Sequence, residues 1–326
     1  MKTEILRMLK TADDYLSGQE LCESFHVSRT AVWKVIKQLE AEGYLIEAVR
    51  NKGYRLKQAG DVLSKAELES GSGTEWAGKN VLYFDETDST NSEAKKAAEA
   101  GAPHGTLAVA DCQNGGKGRR GKTWSSPHGA GIWMSLILRP DMHPGSASML
   151  TLVAALAVAE GLEKSAGIKT VIKWPNDIVC GGKKICGILT EMSTEAEYIN
   201  YVVTGIGINV NTEEFPEEIR DVASSLYLET GKHISRSGIV GAVMEAYEHY
   251  YAVFMKTFDM SLLLEEYNGR LANKGRAVRV LQTGNEYTGT SLGINKEGEL
   301  LVETEDGSIK EVISGEVSVR GIYGYI

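Results

Sequence analysis

The chain has 326 residues, of which 42% are hydrophobic and 24% are charged, and its formal net charge is −9. This length predicts two or three domains, and the composition is that of a globular protein without an apolar run long enough to cross a bilayer. An acidic chain does not hold nucleic acid over its whole surface. Because the charged first residues differ from a secretory signal, we expect a cytoplasmic protein.

The first predicted elements form a helix-turn-helix. Leu21 and Phe25 make an apolar pair at helical spacing, and Ser28 is a good N-cap for a second helix. In that helix Val32 and Leu39 belong to an apolar stripe that faces inward. The open face carries Ser28, Arg29, Thr30, Trp33 and Lys34. This layout is typical of a recognition helix that enters the major groove of DNA.

A short hairpin with a basic turn follows between Tyr44 and Leu56, and Arg50 and Lys52 lie in its turn. In a winged helix-turn-helix, such a wing runs along phosphates beside the recognition helix. The region up to Leu56 carries slightly more Lys and Arg than Asp and Glu, so we expect DNA contact here. A packing module or a protein adaptor with the same elements is the alternative.

The rest of the chain predicts two further domains, after a linker at 57–80 that contains one short helix at 64–69. Mixed strands and helices with long connections favour an α+β arrangement for the middle domain. After a helical stretch at 237–267, short strands separated by glycine-containing turns predict a small β-barrel. The predicted strands lie at 81–84, 107–111, 132–138, 170–173, 185–192, 201–208, 278–281, 287–290, 300–303 and 309–312. A further helix is predicted at 148–165, and a turn at 88–94 is predicted to enter another helix that runs to about residue 100.

One loop, from Gln113 to Trp124, concentrates four glycines and four cations. Glycines let backbone N–H groups approach an anion closely, and arginine adds forked donors for phosphate oxygens. The segment therefore predicts a phosphate-binding loop, with a solvated basic turn as the alternative. A P-loop of the Walker type is disfavoured, because Trp124 and Ser125 do not begin an apolar helix.

Three further clusters lie in the middle domain, at 173–177, 181–191 and 205–211. The first ends a strand at Pro175 and then presents Asn176 and Asp177, a carboxylate able to hold a divalent metal. The second places Lys184 at a strand entrance, and the third has glycines that allow close backbone approach. Each cluster alone is ordinary turn or hairpin chemistry, whereas together with the loop they supply what a nucleotidyl-transfer site needs.

At this point the residues resemble the biotin–protein ligases, and specifically the bifunctional ligase and biotin-operon repressor type. The motifs that carry the resemblance are Asp88–Asn91, Gly116–Gly121, Lys173–Asp177, Lys184–Leu189 and Gly205–Asn209. The resemblance covers essentially the whole chain. It implies an α+β multidomain protein: a winged helix-turn-helix at 1–63, a class II synthetase-like α+β ligase domain at 64–270, and a small SH3-like β-barrel at 271–326.

The resemblance also implies a two-step reaction with biotin, ATP and Mg²⁺. Biotin and ATP give biotinyl-5′-AMP, and a lysine of the biotin carboxyl carrier protein of acetyl-CoA carboxylase, or of a related carboxylase, then takes the biotin. With a DNA module on the same chain, the adenylate is expected to act as corepressor and to favour a homodimer on a palindromic operator.

Site residues follow from the same resemblance, motif by motif. Those expected to bind biotin are Ser89, Thr90, Asn91, Gln113, Gly116, Lys117, Gly118, Arg119, Lys184, Gly187 and Ile188. Those expected to bind ATP and the adenylate are Arg119, Arg120, Trp124, Lys173, Asn176, Asn209 and Arg320. Catalytic roles are implied for Lys117, Arg119, Asp177 and Lys184, with Asp177 as the candidate metal ligand.

Lys117 departs from the family pattern, in which the second loop residue is usually arginine. Lysine keeps the charge but loses the bidentate fork, so we expect weaker retention of the adenylate. Two alternatives to a bifunctional ligase stay open on the sequence. One is a metabolite-sensing winged-helix transcription factor without ligase turnover, and the other is a lipoate ligase.

Overall fold

The computed structural model describes residues 1–59, 61–71, 73–195, 197–281, 286–314, 318–321 and 325. Within these residues, one two-stranded, one seven-stranded and one five-stranded sheet follow each other along the chain. The three sheets correspond to the N-terminal, middle and C-terminal parts expected from the sequence.

The N-terminal part is a winged helix-turn-helix. Its elements are α1 Lys2–Thr11, α2 Gly18–Phe25, α3 Arg29–Ala41, β1 Tyr44–Val49 and β2 Gly53–Ala59. Ser28 caps α3 as predicted, since its Oγ accepts a hydrogen bond from the Ala31 N–H at 3.3 Å. Gly53 has a φ of +122°, and a Cβ there would lie 1.9 Å from the Leu16 carbonyl oxygen. A glycine is therefore required where the wing meets the loop between α1 and α2.

The middle part is a seven-stranded sheet with helices on both faces. Its elements in chain order are α4 Lys65–Gly71, β3 Val81–Thr87, α5 Thr90–Glu99, β4 Leu107–Gln113, β5 Gly131–Leu138, α6 Leu150–Ala166, β6 Val171–Lys173, β7 Asp177–Cys180, β8 Lys183–Thr194, β9 Ile199–Asn209, α7 Leu226–Thr230, α8 Arg236–Phe254 and α9 Leu264–Arg270. The strand order is β3-β4-β5-β9-β8-β7-β6, with β3 and β4 parallel and the remaining neighbours antiparallel. The predicted α+β arrangement is confirmed.

Two helices, α6 and α8, pack together over one face of this sheet. Gly161 lets them approach, because a Cβ there would lie 2.6 Å from the side chain of Val243. The segment Pro144–Ala166, which includes α6, is long and apolar enough to cross a membrane, but 72% of its apolar window is buried in the protein. It is the central core helix.

The helical stretch predicted at 237–267 consists of two helices. Helix α8 ends at Phe254 and α9 begins at Leu264. Between them Phe258 has a φ of +58°, and the Asp259 Oδ1 accepts a hydrogen bond from the Ser261 N–H at 2.9 Å. A side chain that bonds the nearby backbone in this way competes with helical hydrogen bonds.

The C-terminal part is an antiparallel sheet of β10 Ala277–Leu281, β11 Tyr287–Ile294, β12 Leu300–Glu303, β13 Ile309–Val312 and β14 Ser318–Gly321. The first four strands confirm the prediction, whereas β14 was not predicted. This part lies against the middle domain: the Trp174 Nε1 donates to the Gly298 carbonyl at 3.1 Å, and the Met260 N–H donates to the Lys296 carbonyl at 2.7 Å.

The segment predicted as a linker is firmly anchored through Asp61. Arg236, at the start of α8 and only 4% exposed, donates from Nε to the Asp61 Oδ2 at 2.7 Å. Its Nη1 also contacts the Asp111 carboxylate on β4. Burial would raise the pKa of Asp111, but the hydrogen bond and charge of Arg236 outweigh it and lower that pKa. The stabilisation of the fold by the Arg236–Asp111 pair is therefore fully present at neutral pH. It is lost only as the pH falls through the lowered pKa of Asp111.

Replacing Arg236 with methionine is expected to reduce the free energy of unfolding by about 3–5 kcal/mol, because two partly buried carboxylates lose their counter-charge. Urea unfolding of the full chain measures this. The control is Arg220→Met, which breaks an exposed pair with Glu217 (3.0 Å) worth at most about 1 kcal/mol. Equal losses in the two variants would contradict a structural role for the Arg236 bridge.

Candidate functional site

Two neighbouring cavities open where strands β7, β8 and β9 meet the glycine-rich loop at 113–124. The first, the inner cavity, lies over β5, β8 and β9 beside the start of α5. The second, the outer cavity, has a volume of about 560 Å³ and is lined by the loop, the 173–177 motif and the segment after β9. Residues that line both are Gly118, Arg119, Trp124, Asn176 and Lys184. Two ligands bound in these cavities would meet at those side chains.

Paired glycines form the floor of the inner cavity. Gly187 on β8 lies opposite Gly207 on β9, and the indole ring of Trp124 lies over both. A Cβ on Gly187 would be 2.9 Å from this ring, and one on Gly207 would be 2.6 Å from the Trp124 Nε1. That Nε1 is buried and has no hydrogen-bond partner among the described residues. The two glycines thus make room for the Trp124 indole ring, whose unpaired N–H donor lies at the edge of the cavity.

A hydrogen-bonded group of side chains closes the inner end of this cavity. The Gln113 Oε1 accepts from the Thr90 N–H at 2.8 Å, and its Nε2 donates to the Ser126 Oγ at 2.8 Å. The Ser135 Oγ lies 2.8 Å from the Thr90 Oγ1 and 2.6 Å from the Asn91 Oδ1. These contacts hold amide and hydroxyl groups, which include hydrogen-bond donors and acceptors, around a buried space.

Ser89 and Asn91 flank Thr90 at the start of α5. Ser89 is 2% exposed and occupies the N-cap position, yet its side chain makes no capping hydrogen bond, so its hydroxyl can serve a ligand. Asn91 donates to the Glu191 carboxylate at 2.8 Å. A Cβ on Gly205 would lie 2.1 Å from the Asn91 Oδ1, so this glycine makes room for the amide.

The glycine-rich loop folds back on itself beside the cavities. A Cβ on Gly116 would lie 2.3 Å from the Trp124 carbonyl oxygen, so no larger residue fits there. Lys117 is exposed, and its Nζ lies 3.3 Å from the Ser92 Oγ. Arg120 is also exposed and adopts a left-handed conformation with a φ of +57°, which is uncommon for a residue with a side chain.

Arg119 joins the loop to two other parts of the chain. Its Nη1 donates to the Asn176 Oδ1 at 2.9 Å, and its Nη2 donates to the Ser314 carbonyl of the C-terminal domain. Burial lowers the pKa of Arg119, while the nearby Asp177 opposes that shift. A half-buried guanidinium between the two cavities provides positive charge where a phosphate would lie.

An ionic cluster forms the wall shared with the outer cavity. The Lys184 Nζ lies 2.5 Å from the Asp177 Oδ1 and 5.1 Å from the centre of the Trp124 ring. Near the end of the chain, the Tyr325 hydroxyl donates to the Asp177 Oδ2 at 2.6 Å. The Lys173 Nζ lies 3.3 Å from the centre of the Tyr325 ring. Fixed lysines around one carboxylate suit the binding of a polyanion.

The remaining predicted residues line the site or fall outside the description of side chains. Ile188 lines the inner cavity. Asn209 lines the outer cavity, and its Nδ2 donates to the Ser224 carbonyl at 3.1 Å. Arg320 lies on β14 opposite Arg279, but its side chain is outside the described part of the structure.

Sequence reasoning missed Ser135, Ser314 and Tyr325. Ser135 could have been identified from the sequence, because it is the single polar side chain in the wholly buried strand β5. Ser314 contributes a backbone carbonyl, which no side-chain pattern marks. Tyr325 reaches its partner Asp177 across 148 residues of sequence.

A metal site built from the protein alone is not supported. Within the described ranges, no group of three His, Cys, Asp or Glu side chains could hold an ion. Asp177 lines the outer cavity, and both of its oxygens already contact Lys184 or Tyr325. Water and phosphate oxygens, and not further protein side chains, would therefore complete the coordination of a cation at this site.

The predicted DNA-binding face is open in the N-terminal domain. Its residues Ser28, Arg29, Thr30, Trp33, Lys34, Arg50 and Lys52 are all exposed. The Trp33 side chain is 51% exposed although it is a large apolar group. A groove of about 450 Å³ runs between the start of α3 and the wing, with Arg29, Arg50 and Lys52 among its walls. The recognition helix and the basic wing therefore lie side by side on one exposed face, from which the helix can enter a major groove.

Comparison with known families agrees with this division of the chain. The model of the biotin/lipoate A/B protein ligase family matches residues 83–209. A helix-turn-helix domain model matches residues 2–55, and the biotin protein ligase C-terminal domain matches residues 275–320.

Individual relatives match over almost the whole length. The bifunctional ligase/repressor BirA of Bacillus subtilis is 42% identical over 98% of both chains. Its Escherichia coli counterpart is 29% identical over 94% of both chains. Among solved structures, the biotin protein ligase from Aquifex aeolicus in complex with biotin and ATP is 35% identical, with a TM-score of 0.66, over 74% of this chain and 99% of that chain.

Proposed function

This chain belongs to the biotin–protein ligase family, and from its site we propose how particular residues carry out the reaction. It is an ATP-dependent biotin–protein ligase that also acts as a DNA-binding repressor. The alternative of a sensor without ligase turnover is set aside. The observation that carries the proposal is the meeting of the two cavities at Arg119, Asn176 and Lys184.

The reaction has two steps in this site. A carboxylate oxygen of biotin attacks the α-phosphorus of ATP, forming a new P–O bond while the bond to pyrophosphate breaks. The amine of a carrier-protein lysine then attacks the acyl carbon of biotinyl-5′-AMP, AMP leaves, and the amine loses a proton. The acceptor is a carboxylase carrier protein, and we propose the biotin carboxyl carrier protein of acetyl-CoA carboxylase or of a related carboxylase.

Biotin is proposed to fill the inner cavity. Its ureido group has both donors and an acceptor, which match the hydroxyls of Ser89 and Thr90 and the amide of Gln113. Its ring and chain would lie along the apolar backbone around Gly187 and Ile188. Asn91 supports this end through its bonds to β8, and the backbone from Gly116 to Gly118 would cover the carboxylate.

ATP is proposed to fill the outer cavity. Its α-phosphate would lie between Arg119 and Lys184, which provide positive charge on either side of the bond that forms. Trp124 would pack near the adenine, with Asn176 and Asn209 at its polar edge. Arg120 and Lys173 would contact the remaining phosphates, and Arg320 is proposed to reach the nucleotide from the C-terminal domain.

Lys184 is the proposed electrostatic catalyst. Its charge is balanced by Asp177 at 2.5 Å. As charge develops on the phosphorus oxygens, the ammonium can act on them while Asp177 keeps it in place. Mg²⁺ is proposed to enter with ATP as its complex, with Asp177 as the protein carboxylate nearest to it.

Biotin-dependent exchange of labelled pyrophosphate into ATP isolates the first step. We expect exchange with biotin but not with lipoate, and a loss of at least about 100-fold in Lys184→Ala, comparable to removing one preorganised electrostatic donor. The control is Lys183→Ala, since Lys183 bonds the Arg220 carbonyl at 2.8 Å outside both cavities. No exchange with either acid in the unmodified chain would refute the proposed assignment.

Lys117 is expected to weaken retention of the adenylate. Its exposed side chain offers a point charge where an arginine would offer a planar fork. Biotinyl-5′-AMP should therefore dissociate about tenfold more slowly from Lys117→Arg, if one charge-assisted hydrogen bond is gained. Dissociation can be followed by stopped-flow fluorescence. Equal or faster dissociation from the variant would show that Lys117 does not weaken retention of the adenylate.

The repressor activity is proposed to depend on the same adenylate. The adenylate would order the loop at 113–124, favour a homodimer through the middle domain, and place two recognition helices on a palindromic operator. The N-terminal region has a small net positive charge and the rest of the chain is acidic. This difference favours contact with DNA through the N-terminal domain. Such a protein works where ATP and chromosomal DNA are both present, so we propose a cytoplasmic location.

Footprinting of the operator tests this switch. Biotin plus ATP should raise operator affinity by at least about fivefold, the lower end of ordinary allosteric coupling. Arg29→Ala should weaken binding about tenfold or more, while the control Lys164→Ala, on α6 and paired there with Glu160, should not. Equal affinity with and without biotin and ATP would rule out the corepressor role.

A further inference from the structure

A tyrosine at the end of the chain contacts two charged residues of the nucleotide site. The Tyr325 hydroxyl donates to the Asp177 Oδ2 at 2.6 Å. The face of its ring lies 3.3 Å from the Lys173 Nζ, measured to the ring centre. Lys173 and Asp177 are the first and last residues of one sequence motif and pair with each other across β6 and β7. One side chain thus holds both ends of the motif.

The hydroxyl contact bears on Lys184 through Asp177. A carboxylate can rotate about its last bond, and here each of its oxygens has a different partner: Lys184 on Oδ1 and Tyr325 on Oδ2. The hydroxyl therefore fixes the orientation of the carboxylate and, with it, the position of the ammonium. Without the hydroxyl, Asp177 could turn both oxygens toward Lys184 and draw it away from the phosphate.

The ring contact bears on Lys173. An ammonium at this distance over an aromatic face is attracted by the ring quadrupole, and the attraction grows when the pair is shielded from water. Lys173 is only 6% exposed. Tyr325 also lines the outer cavity, so the ring both holds the lysine and forms part of the wall against which a nucleotide would lie.

We propose that Tyr325 is a positioning residue for adenylate formation: its hydroxyl orients Asp177 and thereby Lys184, and its ring holds Lys173 at the nucleotide cavity. A second contact supports this role of the C-terminal domain, because the Ser314 carbonyl accepts a hydrogen bond from Arg119. The inference rests on the proposed function of these cavities.

The two contacts can be separated by substitution. Tyr325→Phe keeps the ring and removes the hydroxyl, so the kcat of biotin-dependent pyrophosphate exchange should fall about tenfold while the KM for ATP changes less than about twofold. Tyr325→Leu removes both contacts, so the KM for ATP should also rise about fivefold. Transfer from preformed biotinyl-5′-AMP to the carrier protein should stay within about twofold of the unmodified chain in Tyr325→Phe.

The matched controls are Tyr287→Phe and Tyr287→Leu. Tyr287 lies in the same domain and makes the same kind of contact, with the Lys310 Nζ 4.2 Å from its ring centre, but it lines neither cavity. Both controls should leave exchange unchanged. If they lower it as much as the Tyr325 variants do, the effect is general to the domain and the proposal is overturned.

A double-mutant cycle tests the route through Asp177. In an Asp177→Asn background the hydroxyl has lost its charged partner, so adding Tyr325→Phe should change kcat by less than about twofold. Fully additive losses would overturn the proposal, as would a Tyr325→Phe chain with unmodified kcat. If the unmodified chain shows no exchange with biotin, the proposed function itself fails. If the unmodified chain does show exchange, an unchanged kcat in Tyr325→Phe overturns only the proposed role of Tyr325.

Discussion

One buried guanidinium, that of Arg236, joins three parts of the chain that are distant in sequence. It binds Asp61, which follows the wing, and Asp111, which lies on β4. Asp61 in turn accepts a hydrogen bond from Asn211 at 3.0 Å. Asp111 and Asn211 are each two residues from a predicted ligand-binding residue, Gln113 and Asn209 respectively. The ends of β4 and β9 therefore belong both to the site and to the attachment of the DNA-binding domain.

What the sequence predicted well is local in the chain. The second helix of the helix-turn-helix could be placed because Ser28 caps it and its apolar residues recur at helical spacing. The loop at 113–124 was recognisable because glycines and cations alternate within a few residues. Each motif was thus visible by itself, and the structure brings most of the predicted ligand-binding side chains around two connected cavities.

What the sequence could not predict depends on contacts between distant residues. Arg236 and Asp61 are separated by 175 positions, and neither has a neighbour that indicates the other. The break after Phe254 also escaped prediction, because helical spacing of apolar residues continues across it while Asp259 bonds the local backbone instead. Helix α8 ends just before a segment in which a side chain bonds the local backbone, and the spacing of apolar residues gives no sign of such a bond.

The anchoring of Asp61 limits how modular this protein is. A cut at the predicted boundary after residue 63 would remove Asp61, which is one of the two carboxylates that neutralise Arg236. The N-terminal unit of this chain is therefore held by an ion pair as well as by the connecting peptide.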